Sequence, residues 1–119
     1  MQEGGGLNDM KALIAIALAG FCSPAVAADV TESDVEVFGQ RIHYAETGEG
    51  PPVVLLHGLW GGLNEWQPII EPLAATNRVI IMDFIGFHGS DKPDVTYHNA
   101  LLSEFLVGFI DALELDRPV

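Results

Sequence analysis

The order of apolar and polar positions divides the chain into recognisable elements. Val35-Glu36-Val37-Phe38 and Arg41-Ile42-His43-Tyr44 alternate on either side of Gly39-Gln40, which predicts a hairpin with a two-residue loop there. The acidic stretch 29–34 before it reads as a loose lead-in, and Thr47 to Pro52 is a cluster of turn residues. Val53-Val54-Leu55-Leu56 is a continuous apolar run, predicting a strand buried on both faces of a parallel sheet. A helix is expected from Asn64 as its cap, with Trp66, Ile69, Ile70, Leu73 and Ala74 on one face. Pro68 is expected in its first turn, and Pro72 is expected to kink or shorten it. Val79-Ile80-Ile81-Met82 predicts a second buried strand ending at Asp83, followed by a turn-rich stretch from Gly86 to Pro93. From Asn99 to Leu115, Leu101, Leu102, Phe105, Leu106, Phe109, Ile110 and Leu113 repeat at helical spacing. Arg117-Pro118-Val119 reads as the lead into a further strand. This alternation predicts an α/β fold: an antiparallel entry hairpin, then parallel βαβα.

The first residues follow a different pattern. Lys11, an apolar run from Ala12 to Phe21 and then Ala25-Val26-Ala27 have the layout of a secretory signal peptide over residues 10–27. The run is shorter than the roughly 20 apolar residues of a bilayer-spanning helix. Residues 1–9, with three consecutive glycines, then read as translated upstream sequence ahead of a true start at Met10, and 28–119 as the folded part. A secreted or periplasmic location follows, with no membrane anchor left after cleavage.

Composition narrows the function classes. The 119 residues carry 17 acidic and 5 basic side chains, a formal net charge of −12. Nucleic-acid affinity depends on Lys and Arg neutralising phosphates, so a nucleic-acid partner is not expected. The lone Cys22 excludes an intrachain disulfide and any multi-cysteine zinc site. The four histidines show no ligand spacing, so no metal is expected, and Gly86 and Gly89 form no phosphate fingerprint. No cofactor is implied.

In open α/β sheets, ligands bind at the carboxyl ends of the strands. Two such ends are readable: His57-Gly58-Leu59-Trp60, and Asp83 through Ser90. VVLLHGLWGG, NEWQPII and RVIIMDFIGFHGSDKP together resemble the N-terminal half of the α/β-hydrolase superfamily, and the likeness runs from about Val35 to Val119. The resemblance implies that the backbone N–H of Leu59, following His57-Gly58, is one oxyanion-hole donor. It implies a turn-stabilising role for His57, a turn-capping one for Asp83 and pocket lining for Trp60. Trp66 matches a tryptophan common in the helix after the HG turn. Asp83, Gly86, Ser90, Asp91, Lys92 and Pro93 match the family's D-x-x-G-x-G-x-S and D-K-P residues. His88 stands where the second glycine is usual, so the turn is expected to shift by one residue, and Ile85 replaces a common proline. His88 and Ser90 are expected to hold the loop, and His43 and His98 to be satisfied or on the surface.

The family's nucleophile elbow, G-x-S-x-G, is not found around Ser23, Ser33, Ser90 or Ser103. In the family's order it follows the helix ending near Leu115, so the chain is expected to stop before the nucleophile and to be inactive alone, with an apolar sheet edge unpaired and poor solubility. The parent is expected to be a serine esterase or lipase-like hydrolase of a small acyl substrate. Haloalkane dehalogenases and epoxide hydrolases, with an aspartate nucleophile, are the alternative. The former usually carry asparagine at the position of Leu59, the latter proline at that of Trp60, and both departures favour the serine type. A non-catalytic remnant is the third reading.

Overall fold

The computed structural model describes residues 29–59 and 61–119. The stretches read as upstream sequence and signal peptide, Cys22 and Trp60 lie outside the described residues. The order is β1 (Thr31–Val37), β2 (Gln40–Thr47), β3 (Pro52–Leu56), α1 (Leu63–Ala74), β4 (Arg78–Met82) and α2 (Asn99–Ala112). The four strands form one mixed sheet in the spatial order β1-β2-β4-β3. β1 and β2 pair antiparallel, β4 lies antiparallel to β2, and β3 runs parallel to β4. The α/β frame read from the periodicity is therefore present, entry hairpin included.

The hairpin turn sits one residue earlier than expected. Val37 pairs with Gln40, leaving Phe38-Gly39 as the loop. Both loop residues have positive φ, 51° and 77°. This is the type I′ turn, one of the two whose twist suits a two-residue hairpin, and glycine readily fills one of its positions. Phe38 takes the other, its ring edge-on to Phe105 at 5.4 Å. The acidic lead-in is also structured. Thr31 to Asp34 extend β1 as an edge strand, paired with Glu46 through His43. An edge strand with one neighbour tolerates this polar alternation.

β4 is the buried centre, with Val79, Ile80, Ile81 and Met82 at 0–2% exposure. Its alternate side chains face opposite layers. Val79 and Ile81 join Ile70 under α1, while Ile80 and Met82 join Ile42, Tyr44, Ile85 and Phe109 on the α2 side. β3 differs from its expected full burial: all five residues are half-buried. It flanks β4 on one side only, and among the described residues a single residue of backbone, Val119, lies beyond it. Val119 N–H donates to Pro52 O at 3.1 Å and Val54 N–H to Val119 O at 2.7 Å, the ladder pattern of a parallel neighbour. The lead from Arg117 to Val119 thus arrives at the free edge of β3.

α1 begins at Leu63 with extended Gly62 before it and no side-chain cap, so Asn64 lies inside the helix. Pro68 falls in the second turn rather than the first, and the helix continues through Pro72. Both prolines are exposed, so the carbonyls they leave unbonded open to water. Ile69, expected on the packed face, is 39% exposed, whereas Trp66, Leu73 and Ala74 pack with Ile70. α2 follows its predicted stripe, burying Phe105 and Phe109. His98 caps it: Nδ1 accepts the Leu101 N–H at 3.2 Å.

Candidate active site

Leu56 of β3 pairs with Met82 of β4, so both strands end at the same level of the sheet. His57-Gly58 and Asp83-Phe84 therefore leave the carboxyl edge side by side. A cavity of about 920 Å³ opens there, lined by Gly58, Leu59, Gly61, Gly62, Asn64, Glu65, Asp83 and His88. Both predicted strand ends thus meet at one site, where an open α/β sheet binds ligands.

His57 is buried and bridges the two strand ends. Its Nδ1 donates to Gly58 O at 2.8 Å, and its Nε2 accepts the Phe84 N–H at 3.1 Å. Those two bonds require the neutral Nδ1–H tautomer, and they leave neither ring nitrogen facing a reactant. Phe84, Phe87 and His88 close around the ring at 5.2–5.4 Å between centroids. Gly58 N–H points to Glu65 Oε2 at 3.4 Å, and Gly61 N–H donates to Gly58 O at 3.1 Å. Leu59, in the same loop, is 69% exposed at the cavity wall. Among the described residues its N–H has no hydrogen-bond acceptor.

The second strand end is a stapled turn. Asp83 Oδ2 accepts the Gly89 N–H at 3.2 Å, and Asp83 N–H donates to His43 O at 2.9 Å. Ser90 is 1% exposed; its hydroxyl donates to Asp83 O at 2.6 Å and accepts the His43 N–H at 2.9 Å. Gly86, at φ 88°, donates its N–H to Asp91 O at 2.8 Å. The expected one-residue shift of the turn does not occur: His88 itself takes the positive φ, 43°. Gly89 is needed for closeness instead, because a Cβ there would lie 2.7 Å from Cγ of His43.

Three residues contribute more than the sequence reading assigned them. Asp91 Oδ2 accepts the Arg41 N–H at 2.8 Å, and Lys92 Nζ donates to His88 O at 2.6 Å. His43 lies between Asp34, 2.7 Å from Nδ1, and Glu32, 3.3 Å from Nε2. Burial opposes its charge, but the hydrogen bonds to Asp34 and Glu32 and the charges of Asp34 and Asp83 outweigh it, so its pKa is raised. The pairing Asp34↔His43 was not readable from the sequence, because a loop at Gly39-Gln40 would set His43 opposite Glu36; it follows from the turn at Phe38-Gly39.

A mixed sheet with a His-Gly loop and an Asp-led turn at its carboxyl edge defines the entry half of a hydrolase frame. The chain belongs to the alpha/beta hydrolase fold family, whose model matches residues 51–119. It is 37% identical over 82 residues to a haloalkane dehalogenase of Agrobacterium fabrum, covering 69% of this chain and 27% of that protein. It is also 37% identical over 91 residues to the 2-hydroxy-6-oxo-6-(2'-aminophenyl)hexa-2,4-dienoic acid hydrolase of Metapseudomonas resinovorans, covering 74% of this chain and 31% of that protein. The crystal structure of an epoxide hydrolase from Vigna radiata superposes with a TM-score of 0.69 at 31% identity, over 73% of this chain and 29% of that one. The chain thus spans less than a third of the length of these relatives.

Proposed function

We propose that the chain forms the first part of the catalytic domain of a hydrolase of the haloalkane dehalogenase and epoxide hydrolase type, with an aspartate nucleophile supplied by sequence beyond Val119. What supports this reading is that a haloalkane dehalogenase at 37% identity and an epoxide hydrolase structure at 31% both match the chain; the dienoic acid hydrolase, also at 37% identity, keeps a carbon–carbon bond hydrolase as a further candidate. The aspartate reading takes precedence over the serine esterase expected from the loop residues alone. In such an enzyme a carboxylate oxygen attacks carbon, expelling halide or opening an epoxide, and an enzyme ester forms. Water then cleaves that ester. The second step passes through a tetrahedral oxyanion on the enzyme's own carboxyl carbon, and the Leu59 N–H is the donor assigned to it in this reading; Leu59 lines the cavity. His57, Asp83, Gly86 and Ser90 act as the frame of the two loops, and Trp60 as pocket lining.

A serine-type parent is the second reading. It is favoured by Leu59 where a dehalogenase uses an asparagine amide, and by Trp60 where an epoxide hydrolase uses proline. A backbone N–H alone serves a serine enzyme's acyl oxyanion. The test is expression of the chain with the coding sequence that follows codon 119, assayed on dibromoethane, styrene oxide and p-nitrophenyl butyrate in heavy-oxygen water. Halide or diol release with label in the enzyme's carboxylate is the expected result. Ester cleavage alone, with no label in the protein, overturns the aspartate reading. Export rests on the pattern of residues 10–27; the reading of residues 1–9 as upstream sequence is tested by N-terminal sequencing of the expressed protein, and finding Met1 or Gln2 in the product rejects it.

A further inference from the structure

Among the described residues, the loop from Gly58 to Gly62 is held by short-range bonds, Gly61 N–H to Gly58 O at 3.1 Å and Glu65 N–H to Gly62 O at 3.0 Å. Three of its five residues are glycine, and α1, which follows it, starts without a side-chain cap. Glycine-rich backbone has the most conformational freedom to lose on being ordered. Yet a backbone donor in this loop stabilises developing charge only if it is held in place beforehand. Glu65 reaches back from α1 to Gly58 N–H at 3.4 Å, a long contact.

His88 reaches the loop from the other side. It occupies a left-handed conformation, φ 43°, that a residue with a Cβ rarely adopts. Its ring Nε2 is hydrogen-bonded to Gly61 O, and it stands edge-on to His57 at 5.2 Å. It also lies over Gly62, where a Cβ would be 3.2 Å from Nε2. Its own carbonyl is held by Lys92 Nζ at 2.6 Å. The ring therefore joins the 58–62 loop to the turn led by Asp83, and it does so from a position where the family pattern has glycine and no side chain at all.

We propose that His88 is a positioning residue that clamps the glycine-rich loop onto the Asp83 turn and so orders the backbone around Leu59. The clamp deepens the reading of Leu59 as a backbone donor and rests on that reading only for its catalytic consequence. The test uses the chain expressed with the coding sequence that follows codon 119, nitrogen-15 labelled, as wild type, His88→Gly and His88→Gln. Glycine at 88 removes the conformational penalty together with the ring, so the fold is kept. Glutamine keeps a side-chain N–H at comparable reach.

Backbone order parameters at Gly58, Leu59 and Gly61 are expected near 0.85 in the wild type, roughly the value of rigid backbone, and below about 0.6 in His88→Gly. The Gly61 amide is expected to exchange about tenfold faster in that variant, while the amides of β4 are unchanged. His88→Gln restores both values. Unchanged loop order in His88→Gly overturns the proposal, and so does a glutamine variant as mobile as the glycine one. Loop order is read without substrate, so its failure is separate from failure of the hydrolase reading, which only turnover decides.

Discussion

Replacing Ser90 by alanine isolates the bond that ties the active-site turn to the hairpin. The hydroxyl is buried at 1% exposure and both of its hydrogen-bonding capacities are used, toward Asp83 O at 2.6 Å and from His43 N–H at 2.9 Å. A methyl group serves neither partner, so a carbonyl at the end of β4 and an N–H in β2 are left unpaired together. Each unsatisfied buried group costs about 1–3 kcal/mol. Because His43 is only partly buried, the lower half of the summed range applies, and Ser90→Ala is expected to destabilise the fold by about 2–4 kcal/mol. Urea denaturation followed by circular dichroism reads this as a lower midpoint at unchanged slope. Amide exchange gives a local check, since the His43 N–H loses its acceptor and its protection. A loss below about 0.5 kcal/mol, the size of an ordinary surface substitution, would refute the reasoning. It would also free the hydroxyl for chemistry, whereas one with proton and lone pair both engaged is no poised nucleophile.

The remaining predictions concern charge and core. The pKa of His43 is raised in the fold, so its contribution to stability is complete below the ordinary histidine value, about 6.5, and is lost as pH rises through the higher folded value. Stability is therefore expected to fall between about pH 6 and 8 by no more than about 1 kcal/mol, since the carboxylates of Asp34 and Glu32 are largely exposed. His43→Gln should flatten this slope in melts across the window; a wild-type stability that rises there contradicts the pairing. Phe109→Ala removes a fully buried ring that meets Tyr44 edge-on at 5.4 Å, and should cost about 3–5 kcal/mol. A thermal melt of Phe109→Ala as high as the wild type's would place the core elsewhere.

Much of the frame was legible along the chain because its signals are local. The apolar runs of β3 and β4 and the 3.6-residue stripe of α2 are properties of neighbouring residues, and so is the abrupt end of each run at His57 and Asp83. Tertiary structure decided what depends on residues far apart. The hairpin turn lies at Phe38-Gly39 because the register of the two strands pairs Val37 with Gln40, and both loop residues then take positive φ. β3 is half-buried because it is the outermost of the four strands, with β4 on one side; among the described residues Val119 alone bonds to its outer edge. His43 looked unremarkable in sequence and Asp91 only matched a motif, yet His43 with Ser90 and Arg41 with Asp91 bind the hairpin to the active-site turn across 47 and 50 residues. Periodicity carries no information over such separations. It states which face of an element is apolar; only the pairing of β2 with β4 brings His43 within reach of Ser90, and only that of β3 with β4 makes one site of two strand ends.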